Sequence, residues 1–156
     1  MKLINNLIIQ IIPFLPKFFV KIVASPYIAG ITDEEMLKNV KKLNDKGFKV
    51  AIDILGEHVK TKDEATAVTN RYANLYNEIT NRKLQANISI KLTHIGQDLG
   101  QNFVQNNLFK LVEAAKNNNN FLRLDMENTP YTDQTIKLYE IMKEKYDKIG
   151  IVIQSY

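Results

Sequence analysis

The 156-residue sequence contains no cysteine, and this absence excludes several kinds of chemistry. Without a thiol there can be no disulfide framework, no zinc site built on thiolates and no cysteine nucleophile. The sequence has only two histidines, His58 and His94, and neither has a second ligand at the spacing that a metal site needs. We therefore predict no metal site and interpret both histidines as solvated loop residues.

Two common catalytic motifs are also missing. Gly56, Gly96 and Gly100 are isolated, and the sequence has neither the GxGxxG nor the GxxxxGK[ST] pattern of a phosphate-binding loop. No serine lies in a nucleophile-elbow motif. The sequence therefore indicates neither a phosphate-binding loop nor a serine hydrolase.

Arginine is scarce, with three among 21 basic residues, and the lysines are spread among 17 acidic side chains. The net charge is +4 and the isoelectric point is near 9.1. A nucleic-acid-binding surface usually concentrates its basic residues in one patch. We therefore predict no nucleic-acid partner.

The sequence has no uninterrupted hydrophobic run of the roughly 20 residues that a membrane-spanning helix needs. Residues 1–23 are apolar but are broken by asparagine, glutamine, proline and lysine. Two interpretations fit this segment: a signal peptide, or an apolar helical arm that packs on the domain or lies on a membrane surface. The interruptions favour the arm, which we assign to residues 1–31.

Residues 32–156 have the length of one domain, and the whole sequence has the average composition of a globular protein, with 45% hydrophobic and 24% charged residues. Thr32 and Thr61 are each followed three residues later by glutamate, which predicts two helix starts. The last helix is predicted to begin near Thr132, with Ile136, Tyr139 and Met142 as its apolar positions. The predicted strands, separated by helical segments, are residues 49–55, 87–92, 121–126 and 151–156.

Alternation of strands and long helical connections predicts a parallel sheet with right-handed crossovers. The strands also alternate in polarity, so that Asn87, Ser89 and Lys91 share a face opposite the isoleucines and leucine of the same strand. Two architectures fit: a sheet with one face in water, or a β/α barrel with a polar site in its lumen. Charged residues near the carboxyl ends of the strands favour the barrel.

Lys91 and Asp125 stand at the predicted carboxyl ends of consecutive strands, on the polar face. Neighbouring parallel strands lie about 4.8 Å apart, so the two side chains could form an ordinary ion pair at a barrel rim or bind the charged ends of a zwitterion. The residues alone leave both interpretations open. Gln154 stands at the matching level of the fourth strand, with an amide that can donate and accept.

Four segments at the predicted strand ends together resemble the bacterial monofunctional proline dehydrogenases. The segments are DILGE (53–57), NISIKLTHIGQDL (87–99), FLRLDMENTPYTDQT (121–135) and GIVIQSY (150–156). YIAGIT (27–32) is similar to the start of that family's barrel, and the arm is similar to its N-terminal helices. The resemblance implies an α/β fold of the (β/α)8 TIM-barrel family, present here as about half a barrel with four parallel strands at residues 32–156.

The resemblance also implies a function. It is FAD-dependent oxidation of L-proline to Δ1-pyrroline-5-carboxylate in proline catabolism, with quinone as the electron acceptor. The implied location is cytoplasmic, with peripheral contact at the cytoplasmic side of the inner membrane. Carried over by position, Asp125 is the catalytic aspartate, Lys91 contacts the substrate, and Met126 and Gln154 contact FAD.

The family's barrel continues through four further strands that carry more flavin-binding residues and a pair of arginines for the proline carboxylate. Arg71, Arg82 and Arg123 lie in the wrong elements to replace that pair. We therefore expect this chain to bind FAD weakly or not at all and to be inactive alone. The alternative is a non-catalytic half-barrel module, whose open edge strands pair with a second copy or with a complementary half.

Overall fold

The structure is a computed structural model of the chain that describes Pro16 and residues 28–155. The arm predicted at residues 1–31, and the alternative of a signal peptide, fall on a segment that lies almost entirely outside the described residues. The chain divides into two compact units, Met1–Lys42 and Leu43–Tyr156.

Helix α1 (Asp33–Asp45) begins at the predicted capping signal. Thr32 Oγ1 accepts a hydrogen bond from the Glu35 N–H at 3.2 Å, and the Glu35 carboxylate accepts from the Ile31 N–H at 3.0 Å. These bonds satisfy amides that the first turn of a helix leaves without intrahelical partners. The helix ends before Gly47, whose φ of 87° is a left-handed conformation that glycine adopts at little cost.

The second unit contains a four-stranded parallel sheet formed by β1 (Val50–Ile52), β2 (Ala86–Ile90), β3 (Leu122–Leu124) and β4 (Ile149–Ile151). The strand order in the sheet is the order in the chain. Every connection therefore advances in the same direction, as in the wall of a β/α barrel and unlike the reversing order of a doubly wound sheet. The prediction of four parallel strands is confirmed.

Three helices connect these strands: α2 (Lys62–Asn81), α3 (Gln101–Asn117) and α4 (Thr132–Lys143). The predicted capping box at the start of α2 is present, since Thr61 Oγ1 accepts from the Glu64 N–H and the Glu64 carboxylate accepts from the Thr61 N–H. Helix α2 contacts β2 and α3, while α3 contacts β3 and α4 contacts β4. The helices thus line one face of the sheet.

The predicted alternation of polarity is confirmed in β2 and the residues after it. Ile88, Ile90 and Leu92 are fully buried, whereas Asn87, Ser89 and Lys91 are partly exposed. The expected apolar face of α4 is partly wrong. Thr135, Leu138 and Met142 are buried, while Ile136 remains exposed, because the helix packs through positions spaced three and four residues apart that start from Thr135.

The strands are shorter than predicted, because the residues that follow them turn away from the ladder. Short 3₁₀ turns at Thr93–Ile95, Gln97–Leu99 and Thr129–Tyr131 occupy the connections after β2 and β3. Among the described residues, no helix is long and apolar enough to cross a membrane.

Candidate functional site

The candidate site lies at the carboxyl edge of the sheet, where Asp53, Lys91 and Asp125 directly follow β1, β2 and β3. The parallel register extends to this level, since the Asp125 N–H donates to the Ile90 carbonyl at 2.8 Å. Equivalent positions on adjacent strands are therefore neighbours in space. Gln154 follows β4 at the same edge.

An ion-pair cluster centred on Lys91 occupies this edge. Lys91 Nζ lies 2.8 Å from Asp53 Oδ2 and 4.0 Å from Asp125 Oδ2. The structure thus brings together the predicted pair, Lys91 and Asp125, and adds a closer carboxylate from β1. The Lys91 side chain is 21% exposed.

The protonation of Lys91 follows from these neighbours. Partial burial acts against the charged form, but the hydrogen bond to Asp53 and the charges of Asp53, Asp125 and Glu57 outweigh it. The pKa of the Lys91 ammonium is therefore raised above its ordinary value. Lys91 is a cation at every physiological pH.

Asp53 was not among the predicted site residues, although it stands at the same place after its strand as Lys91 and Asp125. The buried Tyr72 of α2 orients it, because the Tyr72 hydroxyl donates to Asp53 Oδ1 at 3.2 Å and accepts from the Ile54 N–H at 3.1 Å. Burial raises the pKa of Tyr72 well above its usual range, so this hydroxyl keeps its proton. The position after the strand was the signal in the sequence that could have identified Asp53.

Met126 and Gln154, the predicted flavin-contacting residues, are also brought together. Gln154 Nε2 lies 3.5 Å from the Met126 carbonyl oxygen, and the Met126 N–H donates to Asp125 Oδ1 at 3.1 Å. The long first contact leaves the exposed Gln154 amide available for other partners. Met126 and Gln154 therefore stand beside the ionic cluster.

Glu127 connects two loops at the same edge, a role that the sequence did not indicate. Its carboxylate accepts from the Thr93 N–H at 3.0 Å and from the Thr93 hydroxyl. Thr93 is fully buried, so these bonds anchor the segment after β3 to the turn after β2.

The interpretation of His94 as a solvated residue is wrong. Its side chain is buried, and its ring lies edge-on to Tyr72 with centroids 6.2 Å apart. Gly56 makes room for the imidazole, because a β-carbon at that position would overlap the ring. Burial lowers the pKa of His94, so the ring is neutral.

His58 is partly exposed to solvent, as predicted, with 37% of its side chain accessible. Its Nδ1 atom also lies 2.8 Å from Asp98 Oδ2, a hydrogen bond that the sequence did not indicate.

A parallel sheet wound in one direction, with helices on one face and an ionic cluster at the carboxyl ends of its strands, defines part of a β/α-barrel protein with a site at its usual edge. Residues 36–156 match the family model for proline dehydrogenase. The chain belongs to the proline dehydrogenase family.

Curated relatives agree with this assignment. The chain is 34% identical over 133 residues to proline dehydrogenase 1 of Bacillus subtilis strain 168, an alignment that covers 85% of this chain and 44% of the relative. It is 25% identical over 138 residues to proline dehydrogenase of Deinococcus radiodurans, covering 85% of this chain and 44% of that protein. The chain thus spans less than half the length of these relatives.

Solved structures share the fold. Proline utilization A of Bdellovibrio bacteriovorus superposes with a TM-score of 0.73 at 22% identity, over 83% of this chain and 16% of that chain. A variant of proline utilization A of Bradyrhizobium japonicum gives a TM-score of 0.64 at 21% identity, over 81% of this chain and 15% of that chain. The predicted barrel-type fold is confirmed.

Proposed function

We propose that this chain supplies a substrate-binding wall of an FAD-dependent proline dehydrogenase that oxidises L-proline to Δ1-pyrroline-5-carboxylate. The observation that carries the proposal is the position of the Lys91 ammonium between two carboxylates at the carboxyl edge of the sheet. One cation lies there within a few ångströms of two anions. Such a surface suits a small zwitterion, which presents both charges close together.

Each charged group has capacity left for a substrate. The Lys91 ammonium has three N–H donors, and its bond to Asp53 uses one of them. The remaining donors can attract the carboxylate of proline. Asp125 Oδ1 accepts from the Met126 N–H, whereas Asp125 Oδ2 lies 4.0 Å from Lys91 Nζ, beyond hydrogen-bond distance. Asp125 Oδ2 is therefore available to the cationic ring nitrogen, and Asp125 is the catalytic residue of the proposal.

Met126 and Gln154 fit a flavin at this edge. The polar rim of a flavin ring presents both carbonyl oxygens and N–H groups, and the Gln154 amide can bond to either. This amide is exposed and only weakly engaged by Met126. These two residues would hold one side of the ring, next to the proposed proline position.

The chemistry that FAD supplies when bound is acceptance of a hydride from the ring carbon next to the proline nitrogen. The protein residues act by placement. Lys91 and Asp125 bind the two charges of the substrate, and the hydrogen bond from Tyr72 fixes the orientation of the Asp53 side chain. Quinone would be the electron acceptor of the assembled enzyme, and the proposal therefore includes a cytoplasmic location with a peripheral membrane contact.

The test is a chimera in which residues 36–156 replace the matching segment of Bacillus subtilis proline dehydrogenase 1. We expect the purified chimera to retain FAD absorbance and to reduce a dye when proline is added. Asp125→Asn should abolish most dye reduction while FAD is retained. The matched control is Glu78→Gln, which breaks only a surface ion pair with Arg82 on α2. A flavin-loaded chimera that turns over proline equally well with Asp125→Asn would remove Asp125 from the site.

A second candidate function is assembly of half-barrels. Within residues 28–155, β1 and β4 each pair on one side only. Leu55 and Ile153, which follow these strands, are 89% and 71% exposed. Open strand edges beside apolar side chains favour pairing with a second copy or a complementary half. Light scattering after size-exclusion chromatography tests this, since a monomer at both low and high concentration argues against self-pairing.

A further inference from the structure

Three loops at the carboxyl edge of the sheet meet at one carboxylate. Asp98 Oδ2 lies 2.8 Å from His58 Nδ1, and Asp98 Oδ1 accepts a hydrogen bond of 2.7 Å from the Tyr131 hydroxyl. The rings of His58 and Tyr131 are 5.6 Å apart. His58 belongs to the loop after β1, Asp98 to a turn after β2 and Tyr131 to a turn after β3. We call these three residues the clasp.

His58 has an uncommon backbone conformation. His58 has a φ of 51°, in the left-handed region that non-glycine residues rarely adopt. Such a conformation persists only where surrounding contacts enforce it. A backbone hydrogen bond also joins the loop after β1 to the turn after β2, from the Val59 N–H to the Thr93 carbonyl, but it is long at 3.4 Å. The clasp is shorter than this backbone bond and, unlike it, involves charged side chains.

The charges around His58 favour its protonated form. The pKa of His58 is raised above its ordinary value of 6.5, mainly by the hydrogen bond to Asp98. Slight burial acts in the opposite direction, and the charges of Asp98, Glu57 and Glu127 add to the increase. Slight burial acts to raise the pKa of Asp98. The hydrogen bonds from His58 and Tyr131 and the charges of His58 and Lys60 outweigh it, so the pKa of Asp98 is lowered. Tyr131, whose pKa is raised, stays neutral.

We propose that the clasp holds the loop after β1 at the candidate site while the His58 imidazole is protonated, and loosens this loop when the imidazole becomes neutral. The direction follows from linkage. A group whose pKa is higher when the contact is formed stabilises the contact at low pH, and this contribution is lost as pH rises through the raised pKa. His58, Asp98 and Tyr131 are thus positioning residues.

The loop matters to the site because it begins at Asp53 and includes Glu57. Asp53 is the closest partner of Lys91, and the charge of Glu57 acts on both Lys91 and His58. A looser loop therefore changes the charge around Lys91. The significance for proline binding rests on the proposed function, whereas the clasp itself can be tested without measuring proline oxidation.

The first experiment is an NMR titration of the two histidines in the whole chain. His58→Gln assigns the signals. We expect the pKa of His58 to lie above its ordinary value, and Asp98→Asn to lower it, because the ionic hydrogen bond is lost. Glu78→Gln makes the same chemical change on α2, in a surface ion pair with Arg82, and should leave His58 unchanged.

The second experiment is amide hydrogen exchange, corrected for the intrinsic effect of pH. The reporter is the Val59 N–H, and the internal control is the Lys60 N–H, which bonds to Glu64 in the cap of α2. We expect protection of Val59 to fall roughly tenfold as pH rises through the His58 pKa. Asp98→Asn and Tyr131→Phe should lower protection of Val59 at low pH and leave Lys60 protected.

Two results would overturn the proposal. One is a His58 pKa that does not change in Asp98→Asn. The other is protection of Val59 that is independent of pH and equal in all variants. Neither measurement depends on flavin or proline, so a failure of the clasp is distinguishable from a failure of the proposed enzyme activity.

Discussion

The ammonium of Lys91 bonds to Asp53, the carboxylate after the preceding strand, at 2.8 Å. Asp125, which follows the next strand, lies at 4.0 Å. One carboxylate therefore anchors the cation, and the other remains available. This difference assigns separate roles to two aspartates at equivalent positions in the sheet.

Replacing Lys91 by methionine removes the cation while keeping a long side chain. In the chimera with the Bacillus subtilis relative, we expect Lys91→Met to lower kcat/KM for proline at least about tenfold, mostly through KM, because attraction for the substrate carboxylate is lost. Lys110→Met is the control, since Lys110 bonds to Asn70 on the surface of the helices. Steady-state kinetics with an artificial dye measure the effect, and an unchanged KM would contradict it.

The Tyr72 hydroxyl is predicted to stabilise the fold. Tyr72→Phe leaves the buried Ile54 N–H without its acceptor and removes the hydrogen bond to Asp53 Oδ1, so we expect the free energy of unfolding to fall by about 1–3 kcal/mol. Tyr76→Phe is the matched change, because Tyr76 is equally buried but bonds to a single carbonyl, that of Phe121. Urea denaturation compares the two, and the prediction fails if Tyr76→Phe is the more damaging.

Gly56 is predicted to tolerate no side chain. Gly56→Ala places a β-carbon 2.3 Å from His94 Nε2, and we expect it to lower the free energy of unfolding by about 1–3 kcal/mol. Gly47→Ala is the comparison. Gly47 also has a positive φ, but nothing lies within 4 Å of its added carbon, so only backbone strain of about 1 kcal/mol applies. Equal stability of the two variants would show that the His94 contact is absent.

The capping box of α2 is predicted to make stability depend on pH. Hydrogen bonds from the Lys60 and Thr61 N–H groups lower the pKa of Glu64 below its ordinary 4.5. A carboxylate with a lowered pKa in the folded state stabilises the fold at pH values above its pKa in the unfolded chain. This contribution is lost as the pH falls through the pKa of the folded state. When denaturation is measured between about pH 6 and pH 3, the free energy of unfolding should therefore decline less for Glu64→Gln than for the original chain. Glu140→Gln, on the surface of α4, should follow the original chain.

Much of this architecture could be predicted from local patterns. The succession of helices and parallel strands and the capping box at Thr61 agree with the structure. The polar face that carries Lys91 also agrees. These features depend on the period of the hydrophobic residues and on bonds between residues three or four apart, which the sequence displays directly.

The candidate site was predictable only in part, because its contacts join residues that are distant in the chain. The closeness of Lys91 and Asp125 follows from their equivalent places on neighbouring strands. The burial of His94 does not, since it requires Gly56 of another loop to leave space for the ring. The joining of three loops at Asp98 is likewise invisible in any local window.

The sequence by itself therefore determined the succession of strands and helices, which face of the sheet is polar, and that Lys91 and Asp125 reach its carboxyl edge. Only the tertiary structure decided how those groups pair. The reason is that strand register places the backbones at similar spacing, whereas the choice of Asp53 over Asp125 as the close partner of Lys91 depends on side-chain conformations. A buried tyrosine from α2 orients the chosen carboxylate.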